Sequence, residues 1–156
     1  MIDSSINLVA GRAFEAGLEI SVEVPPDYPN LYADEWIFKQ MLINLISNSI
    51  KFTPSGGDIA VEASILDSEE MRIEVRDSGI GMKEEDIPSA LEAFGQIDST
   101  LSRETQGTGL GLPLVQSFME LHKGYFQIQS EFGKGTITRL IFPKNALSTS
   151  VPQHSE

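Results

Sequence analysis

Three short stretches of this chain carry residue types that could do chemistry. Gln40, Asn44, Asn48 and Lys51 follow one another at spacings of four, four and three, which stacks them on one face if the segment is helical. Asparagine is a poor helix former and costly to bury unpaired, so two of them on an otherwise apolar segment call for partners. A hydrogen-bond network, a wet helix edge or a ligand would each meet that need. Asp77 follows an alternating apolar run and precedes Ser78-Gly79-Ile80-Gly81-Met82. A carboxylate at a strand end can accept from an exocyclic amine, and Gly79 and Gly81 would let backbone approach a ligand, although an ordinary Asp-Ser-Gly turn fits as well. The third stretch, Gln106-Gly107-Thr108-Gly109-Leu110-Gly111-Leu112-Pro113, is glycine-rich and runs into a predicted helix. Its amides and the helix dipole suit a phosphate, and a plain glycine hinge is the alternative.

Two common phosphate motifs are excluded. The dinucleotide fingerprint needs glycine at position 112, which is leucine, and no G-x-x-x-x-G-K-[ST] occurs.

The elements that must position these residues follow from periodicity. Ile6, Leu8, Val9, Ala13, Phe14 and Ala16 predict a helix closing at Gly17, and Ile20, Val22 and Val24 a strand ending at Pro25-Pro26. Asp34 is a fitting N-cap for a long, largely buried helix from Glu35 to about Phe52, ended by Thr53-Pro54. Residues 59–65 and 71–75 alternate as a hairpin-like pair. A short helical piece interrupted by Pro88 follows at 84–93, then a helix from about Leu110 to His122, strands at 125–130 and 136–142, and a loose polar tail after Asn145.

Composition narrows the function. The 156 residues, 40% of them hydrophobic, suit one domain with a single core. A formal charge of -12 argues against general affinity for nucleic acid or an anionic membrane. With no cysteine, disulfides and thiolate metal sites are impossible. No apolar run reaches the roughly 20 residues that span a bilayer, and Met1-Ile2-Asp3-Ser4 lacks a signal-peptide pattern. His122 beside Lys123 reads as a helix C-terminal group and His154 lies in the tail, so neither resembles a phosphoacceptor.

Taken in order, the motifs resemble the ATP-binding catalytic domain of sensor histidine kinases, in the superfamily shared with gyrase, a heat-shock chaperone and a mismatch-repair protein. Residues 40–53 are similar to its N box, Asp77 to Met82 to its first glycine box, and Phe94-Gly95-Gln96-Ile97-Asp98 to its F box. Arg103 falls at the lid arginine, Gly107 to Leu112 at the second glycine box, and Gly133-Lys134-Gly135-Thr136 at the closing motif. The resemblance implies a Bergerat-type α+β fold: a two-layer sandwich of a mixed, mostly antiparallel sheet against about three helices. ATP would lie between the long helix and a mobile lid at 92–108. Asn48 would ligate Mg²⁺ with Asn44 assisting, Lys51 would meet phosphate, and Phe52 would line the nucleotide. Asp77 would accept from the adenine amino group, supported by Thr136 through water, beside Gly79 and Gly81. Gly107, Thr108, Gly109, Leu110, Gly111 and Leu112 would surround the phosphates, with Asn44, Lys51 and Arg103 as the catalytic set. Mg²⁺ keeps several waters and uses the substrate's phosphates, so a neutral amide suffices. The pattern is departed from at Ser49, where alanine is usual, at Pro113, and at Lys123, where a second glycine often follows the histidine.

The expected organisation is a catalytic domain over 1–145 and a flexible tail over 146–156, with no dimerisation domain. There is no helical hairpin bearing His followed by an acidic residue, so transfer would be to histidine on separate dimerisation helices, and indirectly to a response regulator. A cytoplasmic site of action is expected, without direct membrane or nucleic-acid contact from this segment. The competing expectations are an ATP-hydrolysing relative, which would need a glutamate base at position 44, and a degenerate binding module without turnover.

Overall fold

The computed structural model describes residues 2–92 and 111–148. Residues 93–108 of the expected lid, with the F box and Arg103, and positions 109 and 110 lie outside them. Helix α1 (Ile2–Glu15) leads into strand β1 (Glu19–Glu23), and β2 (Asn30–Leu31) precedes the long helix α2 (Glu35–Phe52). Strands β3 (Asp58–Ile65) and β4 (Met71–Asp77) follow, then a 3-10 turn at Glu84–Asp86 and the short helix α3 (Ile87–Ala90). Helix α4 (Gly111–Leu121), strands β5 (Tyr125–Glu131) and β6 (Gly135–Phe142), a 3-10 turn at Lys144–Ala146 and β7 (Leu147–Ser148) complete the described chain.

The main sheet has the order β1-β3-β4-β6-β5, parallel only between β1 and β3. This is the expected two-layer α+β sandwich. Alternation along β4 buries Met71, Ile73, Val75 and Asp77 on the helix side, where they meet Phe38, Met41, Leu42, Leu45 and Ile46 of α2 and Val115 and Met119 of α4. On the opposite face Glu74 is buried as well, held by Arg139 Nε at 2.8 Å and Arg76 Nη2 at 2.7 Å. Burial alone would raise the Glu74 carboxyl, but the two arginines outweigh it and hold the group below the ordinary glutamate value.

Local chemistry sets the helix ends. The Asp34 side chain accepts from Ile37 N–H at 2.9 Å, capping α2, and Thr53 turns extended ahead of Pro54. Helix α1 closes in a Schellman motif, with Leu18 N–H donating to Ala13 O and Gly17 N–H to Phe14 O, Gly17 taking φ +74°. Helix α4 closes the same way, with Gly124 N–H donating to Met119 O and Lys123 N–H to Glu120 O. There the left-handed residue is Lys123, at φ 59°. The position where the family pattern favours glycine is thus a left-handed one occupied here by lysine.

The sequence suggested a loose chain after Asn145; in the described part of that stretch, Ala146 ends a 3-10 turn and Leu147 and Ser148 form β7. Leu147 pairs with Leu31 and Ser148 with Asn30 in a two-stranded ribbon, with Leu31 and Leu147 packed against the core. Two-residue strands have no periodicity to reveal them. None of the described helices is long and apolar enough to cross a membrane.

Candidate functional site

The site is assembled where the C-terminal half of α2 passes the end of β4 and the start of α4. Asp77 and Ser49 are both buried, and Ser49 Oγ donates to Asp77 Oδ2 at 2.9 Å. The other carboxylate oxygen, Oδ1, accepts from Gly79 N–H at 2.9 Å and Thr136 N–H at 3.2 Å. Burial pushes the Asp77 carboxyl above its ordinary value, and the donors from Gly79, Ser49 and Thr136 oppose that rise without cancelling it. Thr136 therefore supports Asp77 directly through its backbone. Its hydroxyl pairs instead with Ser130 Oγ, 2.8 Å away.

Protein fills the space beside the glycines after Asp77. A Cβ on Gly79 would stand 2.5 Å from Phe52 O, and one on Gly81, at φ 64°, would stand 2.0 Å from Glu131 O. In the described structure the backbone at Gly79 and Gly81 comes close to α2 and to the β5–β6 hairpin. Ile80 N–H donates to Phe52 O and Gly133 N–H to Ile80 O, while Met82 N–H donates to Ser130 Oγ. Gly135 completes this clasp: at φ +100°, its Cβ would lie 2.0 Å from Asp77 O.

Asn44 and Asn48 are half-buried and their side chains make no hydrogen bond to another described residue. Among the described residues they belong to no polar network. A Cβ built on Gly111 would be 3.6 Å from Asn48 Nδ2, which places the start of α4 beside this line. Leu112 packs partly buried against the core, Phe52 is half-buried and Lys51 exposed at the helix end. Among the described residues, no group of three His, Cys, Asp or Glu side chains could hold a metal ion. A cation here would depend on amide oxygen, water and its own ligand's anions, which suits Mg²⁺.

Sequence reasoning missed two hydroxyls. Ser49 was visible only as a departure from alanine, although a polar residue at a core position of an apolar helix was the available signal. Thr53 Oγ1 is the buried side-chain polar atom without a partner among the described residues. It would be 2.9 Å from a Cβ on Gly79. His122 behaves as expected of a helix-end group. Its Nδ1 lies 2.7 Å from Phe118 O and its Nε2 accepts from Asp34 N–H at 3.4 Å, an assignment that puts the proton on Nδ1.

The chain belongs to the histidine kinase-, DNA gyrase B- and HSP90-like ATPase family, whose model matches residues 33–146. Within it, the similarity runs to the catalytic domains of sensor histidine kinases. It is 38% identical over 90% of its length to the non-motile and phage-resistance protein of Caulobacter vibrioides, and 36% identical over 92% to hybrid signal transduction histidine kinase B of Dictyostelium discoideum. It spans 17% and 8% of those relatives, respectively. Among solved structures, full-length ShkA in complex with AMPPNP superposes with a TM-score of 0.80 at 30% identity, covering 96% of this chain and 30% of that one. The nucleotide-free catalytic domain of histidine kinase ThkA shares the fold at TM-score 0.77 and 24% identity, covering 92% and 91% of the two chains.

Proposed function

We propose that this domain binds Mg-ATP between α2 and the 77–82 segment and transfers the γ-phosphoryl group to a histidine on separate dimerisation helices. The observation that carries this reading is the pair of amides, Asn44 and Asn48, unpaired among the described residues and on the same helix that holds a buried carboxylate through Ser49. Such an arrangement offers a base-reading end and a cation-binding end on one rigid element. Similarity to ShkA, solved in complex with AMPPNP, and to curated histidine kinases supports it.

In this account Asp77 accepts from the adenine amino group. Phe52 lines the nucleotide, and Lys51 meets phosphate. Asn48 would hold magnesium with Asn44 assisting, and the ion would neutralise phosphate charge. Arg103 and the Gly107 to Leu112 amides complete the phosphate side. Phosphoryl transfer asks mainly for positioning and charge neutralisation. An asparagine at 44 cannot act as a general base for water, which disfavours hydrolysis as the principal reaction.

The test supplies radiolabelled Mg-ATP to the chain alone and with its cognate dimerisation helices as a separate chain. Acid-labile, base-stable label is expected on the helices only. Robust self-labelling abolished by His122→Ala would overturn the reading, brisk phosphate release would favour a hydrolysing relative, and failure to bind Mg-ATP would leave a partner-binding module.

A further inference from the structure

Ser49 is a departure from the family pattern that changes the wiring of the site. It is 5% exposed and lies on the core side of α2, and its hydroxyl meets Asp77 Oδ2 at 2.9 Å. Oδ1 already accepts two backbone N–H groups, from Gly79 and Thr136. Oδ2 has no other donor among the described residues, so within them Ser49 is what ties that oxygen to the protein. An alanine at this position would leave it free to rotate out of plane and to take a proton.

We propose that Ser49 is a positioning residue for base recognition: its hydroxyl orients Asp77 Oδ2 and keeps that oxygen an acceptor, which sharpens selection of adenine over guanine. The proposal rests on the nucleotide reading above. An acceptor-only carboxylate matches the exocyclic amine of adenine, whereas a protonated carboxyl presents a donor that matches the carbonyl of guanine. Three donors to one carboxylate favour the ionised form against burial. Charged groups do not share this task. Asp58 on β3, Arg76 on β4, and Glu131 and Lys134 at the β5–β6 hairpin line a cavity of about 470 Å³ that reaches Asp77. Lys51 is exposed on α2. None of them is a cause of the Asp77 rise, which comes from burial and is opposed only by the Gly79, Ser49 and Thr136 hydrogen bonds.

The intact chain, Ser49→Ala and Ser49→Cys are compared in two measurements. Carbon-detected NMR follows titration of the Asp77 carboxyl without nucleotide, and calorimetry measures Mg-ATP and Mg-GTP binding at pH 6 and pH 8. Both variants should titrate at higher pH than the parent. Each should bind ATP about three- to tenfold more weakly at pH 6, with a smaller loss at pH 8 and a reduced ATP-to-GTP preference. In an Asp77→Asn background, Ser49→Ala should add less than about a twofold change. An unmoved Asp77 titration, or an equal loss for both bases at both pH values, overturns the proposal. A moved titration in a chain whose parent binds no Mg-ATP supports the hold on Asp77 and overturns the nucleotide reading instead.

Discussion

The two polar regions that α2 brings together are built on opposite terms. At Ser49 both oxygens of the facing carboxylate are engaged by the protein, from a helix, a loop and a strand. At Asn44 and Asn48, on the neighbouring stripe of the same helix, the amides have no partner among the described residues. A buried carboxylate must be held because desolvation would otherwise neutralise or displace it, whereas a half-buried amide can wait on solvent. One region is thus pre-organised, and the other is left without protein partners among the described residues.

The largest expected effect separates binding from stability. Asn48→Ala should reduce Mg-ATP-dependent transfer to the dimerisation helices by more than about 100-fold. It should leave the fold unchanged or stabilise it by about 0.5 kcal/mol, since no side-chain hydrogen bond among the described residues is lost and alanine is the better helix former. Radiolabel transfer and thermal unfolding measure the two. A marked loss of stability would show that the amide is structural and break the contrast.

Asp77→Asn should show an opposite balance at the held end. Affinity for ATP by calorimetry should fall about 100-fold, because an amide offers a donor where an acceptor is needed. The unfolding midpoint at pH 7 should rise. The folded-state value of Asp77 lies above the unfolded one, so its contribution to stability declines as pH increases between them, and removing the charge relieves that penalty. In the parent, ATP affinity should weaken as pH falls through the raised Asp77 value.

A control lies on the other face of the same strand. Arg139→Ala leaves buried Glu74 with Arg76 alone and should cost about 2–3 kcal/mol in urea unfolding while changing ATP affinity less than about twofold. Because the Glu74 carboxyl is held below its ordinary value, its stabilising contribution is present at neutral pH and is lost as pH falls through the folded-state value. Loss of ATP binding at constant stability would place this ion pair in the site.

The smallest effect is at the far end of α4. Lys123→Gly should stabilise the domain by about 0.5–1 kcal/mol, by thermal unfolding, with unchanged ATP affinity, because lysine occupies a left-handed helix-end position at φ 59°.

What the sequence by itself determined is what neighbours along the chain decide. Asp34 and Thr53-Pro54 bound α2 through a cap and a steric exclusion, and Gly17 closes α1 because its φ is left-handed. Alternation defined β3 and β4, and the four-four-three spacing set Asn44 and Asn48 on one stripe of a helix. The family motifs also placed Asp77 at the end of a strand near that helix. Only the tertiary structure decided which groups meet across distant segments. The parallel pairing of β1 with β3, and the pairing of Leu31 with Leu147, join segments without a local signal for each other. Gly81 and Gly135 are demanded by carbonyls of other segments as well as by their own left-handed φ, and the first of these demands has no local signal. Ser49 is the clearest case. In the sequence it is a small residue in place of an alanine, and it becomes a ligand of Asp77 only because packing α2 on β4 excludes water from both, so that each hydroxyl or carboxylate must find its partner inside the protein.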